Sequence, residues 1–189
     1  MIIGAEELLS EIDRRLETDK NKDLIIAVDG RCASGKTTLA AFLREKYDCN
    51  VFHMDDFFLR PEQKTAERLS EPGGNIDHER FLSEVLLPLY EGRDVLFQRY
   101  DCFRKCLESP VHAERKRLNI VEGVYSLHPD LSDYYDMTVF LDVSEEEQRK
   151  RILKRNTPLM AEKFFSAWIP LEERYFDDLG IREKADFII

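Results

Sequence analysis

Apolar residues recur along this chain in two patterns, helical spacing and short unbroken runs, and the two patterns alternate. Helical spacing covers residues 5–17, 36–47 and 81–89, and the apolar runs cover residues 24–28, 50–54, 118–124, 136–143 and 185–189. Strands that alternate with helices and are apolar throughout are typical of a parallel sheet covered on both faces. The pattern therefore predicts an α/β fold, a three-layer sandwich around a mostly parallel sheet.

Element boundaries and irregular stretches add detail to this pattern. Ser144 and Glu147 have the spacing of a capping box and predict the start of a late helix. Residues 94–106 alternate less regularly and predict an accessory strand or hairpin. No tract resembling a linker interrupts the sequence, so we expect a single domain over residues 1–189 that begins with a helix inside residues 1–20.

Prolines, late aromatic residues and histidines predict structure rather than chemistry. Pro88 and Pro170 are each expected to end, kink or interrupt a helix. The late aromatic residues have the spacing of one buried helix face, and they are Phe164, Phe165, Trp168, Tyr175 and Phe176. We expect them in the core rather than in a base-stacking platform. His78 is expected at the surface, and the other histidines lack metal-ligand spacing.

Charge and composition limit the partners of this protein. Of 189 residues, 38 are Asp or Glu and 28 are Lys or Arg, which gives a formal net charge of −10. Long-range attraction to nucleic acid or to an anionic membrane is therefore not expected. No apolar run approaches the roughly 20 residues of a membrane helix, and the N-terminal apolar stretch is too short for a signal peptide. We expect a cytoplasmic protein with a small-molecule substrate, and homo-oligomerisation is left open.

One motif predicts nucleotide chemistry. The segment GRCASGKT fits GxxxxGK[ST] and lies between an apolar run and a helical stretch, as a phosphate-binding loop does. Glycines let the backbone approach phosphate oxygens, and the helix N-terminus faces the anion. The alternative is a Gly-rich turn before a helix. The predicted nucleotide-binding residues are Gly30, Cys32, Ala33, Ser34, Gly35, Lys36, Thr37 and Thr38.

The motif also predicts ATP and Mg²⁺ as cofactors. Lys36 would add a positive charge near the transferred phosphoryl group and counts among the predicted catalytic residues. Thr37 would hold Mg²⁺ through its hydroxyl. A second ligand is expected from Glu122, which ends an apolar run and precedes Gly123, a residue that allows close approach of a ligand. Asp142, at the end of the neighbouring run, is the competing carboxylate.

Two adjacent carboxylates follow the second apolar run. Asp55 and Asp56 lie at the carboxyl edge of the predicted sheet, where ligands of open α/β sheets bind. A carboxylate beside an alcohol can accept its proton as the bond to phosphorus forms. We predict Asp55 as the catalytic base and Asp56 as a substrate-binding residue. The alternative is an Asp-rich turn that caps the next segment.

A basic stretch offers cations for the phosphates. Arg151 and Arg155 are four residues apart on the helix that follows Ser144, so they share a face. They could stabilise negative charge on a triphosphate and are predicted as catalytic residues. The alternative is pairing with the acidic residues 145–147 one turn earlier.

Six motifs in order resemble a known family: GRCASGKTT, MDDFF, NIDHERF, RYD, IVEGV and EKADFII. The sequence is similar to the uridine kinase and phosphoribulokinase group, which includes nicotinamide riboside kinases, over most of residues 24–189. The resemblance implies a P-loop NTPase fold with a five-stranded parallel core and a mobile lid, which we expect as a short lid at about residues 149–165. It also implies Asp55 as the catalytic base and Glu122 as the magnesium-site carboxylate.

The same resemblance implies an acceptor site. Asp77 of NIDH corresponds to a ligand of ribose hydroxyls, and Tyr100 and Asp101 correspond to a pair that lines the nucleoside pocket. Plain turn and core roles are the alternatives for Asp77 and Tyr100. Cys102 and Lys105 stand about where uridine kinases have a His that contacts the base, which weakens the case for a pyrimidine.

The sequence therefore predicts an ATP-dependent kinase. Its expected acceptor is the primary hydroxyl of a small metabolite, the 5′-hydroxyl of a nucleoside such as uridine or cytidine. Other small alcohols remain alternatives, namely nicotinamide riboside, ribulose 5-phosphate and pantothenate. Two other classes are a P-loop switch or motor and a nucleotide-binding regulator without catalysis. A GTPase would need an NKxD motif downstream, whereas Asn21-Lys22-Asp23 lies upstream of the loop.

Overall fold

Strands and helices alternate along the computed structural model, which describes residues 4–189. The strands are β1 Leu24–Gly30, β2 Cys49–His53, β3 Val95–Phe97, β4 Tyr100–Asp101, β5 Cys106–Leu107, β6 Val111–Ala113, β7 Leu118–Glu122, β8 Met137–Leu141 and β9 Phe187–Ile188. The α-helices are α1 Ala5–Thr18, α2 Lys36–Lys46, α3 Ala66–Ser70, α4 His78–Phe81, α5 Leu87–Tyr90, α6 Pro129–Ser132, α7 Glu145–Arg155, α8 Pro158–Lys163, α9 Ile169–Leu179 and α10 Ile181–Lys184. The first helix predicted within residues 1–20 is α1, and residues 1–3 of that range lie outside the described part.

A parallel sheet organises the molecule. Within the described residues it has five strands in the order β2-β7-β1-β8-β9, and every neighbouring pair is parallel. All seven residues of β1 are buried, as expected for a central strand with helices on both faces. The predicted α/β fold with a five-stranded parallel sheet is confirmed. Because the strands are parallel, the residues after β1, β2, β7 and β8 meet at one edge of the sheet.

The side chains of β1 alternate between two cores. Ile26 and Val28 pack with α1 and α2 on one face, where Leu8 of α1 and Leu39 of α2 are fully buried. On the other face lies a larger core of aromatic and aliphatic side chains from the α4–α5 region and α9. This arrangement gives the three layers. No helix within residues 4–189 is long and apolar enough to cross a membrane.

Two prolines lie inside helices that continue past them. Pro88 follows a π-helical turn at Leu82–Leu86, and Pro170 follows another at Phe164–Trp168. The helix with Pro88 ends at Tyr90, within one turn of the proline, which fits the expected end near its final turn. The helix with Pro170 continues to Leu179, so the interruption expected there is wrong. A proline lacks an N–H and its ring clashes with the carbonyl one turn earlier, and a π-helical turn widens the helix at that point.

An antiparallel ribbon projects between α5 and β7. Strand β3 pairs with β6 in the register Val95↔Ala113, and β4 pairs with β5 in the register Tyr100↔Leu107. It is the accessory hairpin that the irregular alternation of residues 94–106 predicts, although its returning strand extends to Ala113. The sequence does not indicate the returning strands, because β5 and β6 are short and residues 107–113 are only partly apolar.

Candidate active site

A cavity of about 1130 Å³ opens at the carboxyl edge of the sheet. The loop after β1 and the start of α2 form one wall with residues 32–38. Asp55 comes from the turn after β2, residues 122–125 come from the end of β7, and Arg151 and Arg155 come from α7. The cavity therefore joins the predicted phosphate loop, the predicted base and the predicted cations.

The loop backbone has the conformation that its glycines allow. Gly30 has φ +132°, and a Cβ built there would lie 2.1 Å from the Leu141 carbonyl oxygen, so only glycine fits. Gly35 has φ +118° and precedes α2, which starts without a side-chain cap. Ala33 also has positive φ, at +62°. The amides at the start of α2 are thus left free to bind an anion at the edge of the cavity.

Polar atoms of the loop fit a phosphate ligand. Lys36 is buried, and its Nζ donates to the carbonyl oxygens of Gly30 at 2.6 Å and Arg31 at 2.9 Å. The hydroxyl of Ser34 is buried and has no hydrogen-bond partner within residues 4–189. Such an orphaned group inside a glycine-rich loop is consistent with a ligand that supplies its partner. Thr37 and Thr38 are open to the cavity.

Two of the oxygens expected to hold a metal ion are neighbours. Thr37 Oγ1 donates to Glu122 Oε1 at 3.2 Å, and His53 Nδ1 lies 2.6 Å from the same oxygen. His53 faces Glu122 because β2 and β7 pair them in register. The hydrogen bond to the carboxylate raises the pKa of His53, against the opposing effect of burial. A hydroxyl and a carboxylate are ligands that Mg²⁺ accepts, so these residues fit the ion.

The competing carboxylate, Asp142, also lines the cavity but is engaged by other groups. Asp142 accepts hydrogen bonds from its neighbour's amide, Val143 N, at 2.9 Å and from Arg182 Nε at 3.0 Å. Gly123 lines the cavity, so close approach of a ligand to it stays a prediction. A Cβ at Gly123 would lie 2.8 Å from the Cβ of Met54, so the glycine also makes room for a core side chain.

The adjacent carboxylates point in different directions. Asp55 lines the cavity and is open to its interior, whereas Asp56 pairs with Arg99 Nε at 3.3 Å. Desolvation by the surrounding protein raises the pKa of Asp55; the positive charge of Lys36 opposes this rise, and the negative charge of Glu122 adds to it. The structure thus places Asp55 in one electrostatic environment with the loop lysine, while Asp56 lies away from the cavity wall.

The two arginines of α7 have different contacts: Arg151 contacts the loop, and Arg155 contacts the segment that follows α7. Arg151 Nη1 donates to the carbonyl oxygens of Ala33 at 3.1 Å and Ser34 at 3.0 Å, and its Nε donates to Glu147 at 2.9 Å. Arg151 thus makes the alternative pairing with the acidic turn and also contacts the loop, while its reach to a triphosphate stays a prediction. Arg155 lines the cavity and lies over the ring of Phe164 at 5.6 Å.

Comparison with known proteins finds sequence similarity to kinases. No family model matches the chain. It is 26% identical over 152 residues to uridine kinase-like protein 3 of Arabidopsis thaliana, and 24% identical over 196 residues to a uridine kinase of Bacillus pumilus. A bifunctional alpha-galactosidase/sucrose kinase of Mediterraneibacter gnavus is 26% identical over 174 residues. These matches cover 75%, 90% and 80% of the chain, and 32%, 87% and 18% of the respective relatives.

Solved structures share the fold. A possible uridine kinase from Bacillus stearothermophilus superposes with a TM-score of 0.69 at 21% identity, over 97% of this chain and 99% of that one. A candidate fructose transport system kinase from Silicibacter sp. TM1040 has a TM-score of 0.71 at 22% identity, over 97% of both chains. The chain is thus similar in sequence to uridine kinases and shares its fold with solved kinase structures.

The acceptor residues that this uridine kinase-like group suggests are not gathered in the cavity. Asp77 is buried, caps α4 by accepting from Arg80 N at 3.2 Å, and accepts from Gln63 Nε2 at 2.8 Å. Tyr100 is buried in the ribbon, and Asp101 caps the hairpin turn. Within the described residues, the ribbon contributes Cys102 to the cavity lining instead.

Two buried carboxylates at the loop escaped the sequence analysis. Asp29 accepts from the amides of Gly30 and Leu127 and from the hydroxyl of Tyr175, at 2.7 to 2.9 Å, and burial raises its pKa to about 6. Glu172 lies in the wall of the cavity. Asp29 stands at the end of the apolar run LIIAV, and a charged residue there was the available signal, because buried carboxylates need partners. Glu172 is followed by Glu173 and Arg174, so its surroundings in the sequence carry no such signal.

Some late aromatic residues have a different place from the one expected. Tyr175 and Phe176 are in the core, as predicted, but Phe164 and Trp168 line the cavity. Trp168 is 40% exposed. The helix face that carries them covers the loop rather than the main core.

A histidine pair joins the NIDH segment to the turn after β7. The prediction that His78 lies at the surface is wrong, because it is buried and its ring stacks on His128 at 4.2 Å. Ligand atoms of both histidines and Asp130 lie within 4.8 Å of one another. Arg68 donates to His78 Nδ1 at 3.0 Å. The other ring nitrogen, His78 Nε2, therefore carries a proton and donates to Asp130 at 3.0 Å. This hydrogen bonding uses both nitrogens of His78.

Proposed function

We propose that the protein transfers the terminal phosphoryl group of ATP to a hydroxyl group of a small metabolite. One observation carries this proposal: the loop lysine, the Thr37–Glu122 pair and the carboxylate of Asp55 line one cavity. In a switch or motor the loop and the metal site would be the same, but the Asp55 carboxylate would activate a water, so dependence of ADP release on an acceptor separates the two classes. A regulator without catalysis would not need to keep all four residues.

Asp55 would act as the general base. The acceptor hydroxyl oxygen forms a bond to the terminal phosphorus, the bond from that phosphorus to the oxygen of ADP breaks, and the hydroxyl proton moves to the Asp55 carboxylate. The raised pKa of Asp55 suits this role, because a more basic carboxylate accepts a proton more readily.

Cations along the cavity would balance the charge of the phosphates. Lys36 would leave its two loop carbonyls to bind phosphate oxygens, and Arg151 and Arg155 of α7 also line the cavity. Thr37 and Glu122 would hold Mg²⁺, which when bound offsets the negative charge of the phosphates. The aromatic rings of the lid would exclude water from the transferred group.

A nucleoside 5′-hydroxyl is the first acceptor we propose, in line with the uridine kinase of Bacillus pumilus. The second acceptor we propose is a hydroxyl group of a sugar that carries no base. Asp77, Tyr100 and Asp101, which would recognise a nucleoside in this group, are engaged in capping and core contacts. The similarity to a bifunctional alpha-galactosidase/sucrose kinase gives the sugar alternative separate support.

A coupled assay of ADP release tests the proposal. The panel holds uridine, cytidine, nicotinamide riboside, ribulose 5-phosphate, pantothenate, sucrose and fructose, each with MgATP, and the Lys36→Ala protein serves as the blank. We expect ADP release that depends on one class of acceptor. Release at the same rate without any acceptor would instead indicate an NTPase switch, and binding of ATP without release would indicate a regulator.

A further inference from the structure

A carboxylate occupies the tip of the phosphate loop. Glu172 projects from α9 and is 6% exposed, and its Oε2 accepts a hydrogen bond from the backbone amide of Cys32 at 2.9 Å. It lines the same cavity as Lys36 and Asp55. A negative charge thus stands where the loop otherwise presents donors and a cation to an anionic ligand.

The contact is one of a set that joins helices α7 and α9 to the loop. From α7, Gln148 Nε2 donates to the Cys32 carbonyl at 3.1 Å, and Arg151 donates to the next two loop carbonyls. Helices α7 and α9 therefore hold both sides of the loop tip, its carbonyls and its amide. Three side chains make these contacts, and Glu172 is the acidic one among them.

Charged and titratable groups face Glu172 from several elements. Lys36 approaches from α2, Asp29 from β1, the Cys32 thiol from the loop and Tyr125 from the segment after β7. Burial raises the pKa of Glu172 to about 7, while the Cys32 amide and Lys36 oppose the rise. Near neutral pH the group is therefore divided between its carboxylate and its neutral acid.

We propose that Glu172 couples binding of the nucleotide triphosphate to the uptake of one proton, an inference that rests on the proposed function. A triphosphate in the cavity brings several negative charges close to the Glu172 side chain and so favours its protonated form. The proton comes from solvent and is bound at a carboxylate oxygen. The neutral acid no longer repels the phosphates and can itself donate a hydrogen bond to an oxygen acceptor.

Calorimetry on the unmodified protein tests this directly. Titration of MgATP at pH 7, in two buffers that differ in ionisation enthalpy, counts the protons taken up per nucleotide. We expect about half a proton from the protein at pH 7, and an affinity about tenfold weaker at pH 8 than at pH 6. The sign follows from a pKa that rises on binding, because affinity is then lost as pH rises through the pKa of the free protein.

The variant Glu172→Gln separates the charge of the side chain from its hydrogen bond. Glutamine keeps an oxygen that can accept from Cys32 N, but it cannot titrate. We expect the variant to match the unmodified protein at pH 6 and to bind MgATP about tenfold more tightly than it at pH 8. Titration of ATP itself contributes equally to both proteins and cancels in the comparison. Thermal unfolding monitors whether the variant folds.

Glu173→Gln is the matched control. Glu173 is the next residue of α9 but pairs with Arg31 at 3.0 Å, away from the loop amide, and its variant should keep the pH dependence of the unmodified protein. A Glu172→Gln protein with the same pH dependence as the unmodified one, or no proton uptake beyond that of ATP, overturns the inference while the proposed function stands. No binding of MgATP at any pH would overturn both.

Discussion

The two ends of the cavity were built from very different kinds of sequence. At the phosphate end, residues 30–38 are contiguous and act largely through backbone amides and positive φ angles. At the other end, Asp55, Cys102, Tyr125 and Trp168 come from four distant segments. The first end is fixed by local backbone geometry, whereas the second depends on how surface segments pack. A kinase fold can therefore keep its phosphate site while its acceptor site changes.

The largest effect is expected at the phosphate end. Replacing Lys36 with Ala removes the cation that the loop would offer to the phosphates, and we expect the rate of phosphoryl transfer to fall by at least about a thousandfold. Steady-state ADP release measures this. Lys46→Ala, at the exposed end of the same helix, is the control and should retain the full rate. Equal activity of the two variants would remove Lys36 from catalysis, provided that both unfold at the same temperature.

The adjacent carboxylates test the acceptor end next. Asp55→Asn removes the proposed base, and we expect kcat to fall by about a hundredfold, or about 3 kcal/mol of barrier, with the Kd for ATP unchanged. Asp56→Asn affects a carboxylate that pairs with Arg99 outside the cavity, and its kcat should stay within about threefold of the original. If the larger loss followed Asp56 instead, the assignment of the base would be wrong.

The third test concerns the metal-binding carboxylate. Glu122→Gln weakens the proposed site for Mg²⁺, so we expect the Mg²⁺ concentration for half-maximal activity to rise about tenfold. Asp142→Asn, whose parent side chain is engaged by Arg182, should leave this concentration nearly unchanged. The two titrations, carried out at saturating ATP, compare the carboxylates directly. A shift in the Asp142 variant alone would reverse the preference.

Patterns that depend on local physics were readable from the sequence. The apolar runs predict the strands of the sheet, and the GxxxxGKT spacing predicts where the loop lies between β1 and α2. Ser144 caps α7 through the Glu147 amide, although the Glu147 side chain turns to Arg151 instead of completing the capping box. In each case the signal lies within one turn or one strand of the structure.

What sequence reasoning missed depends on contacts between distant segments. Glu172 lies 140 residues from the Cys32 amide that it binds, and nothing local to α9 indicates that partner. The continuation of a helix past Pro170 depends on a π-helical turn that no spacing rule identifies. Sequence reasoning also could not show where the Asp77 side chain points, because packing and the cap of α4 determine this.

The smallest effect on activity is expected at Asp77. Asp77→Asn removes a buried charge 3.6 Å from Arg80 but keeps an oxygen for the helix cap, so we expect unfolding free energy to fall by about 1–3 kcal/mol. Because the side chain is buried beside Gln63 and Arg80, the acceptor KM should stay within about twofold. Urea unfolding and acceptor titration measure the two quantities. A tenfold rise in KM without a loss of stability would instead assign Asp77 to the acceptor site. Both ends of the cavity would then follow the residue pattern that the resemblance to uridine kinases implies.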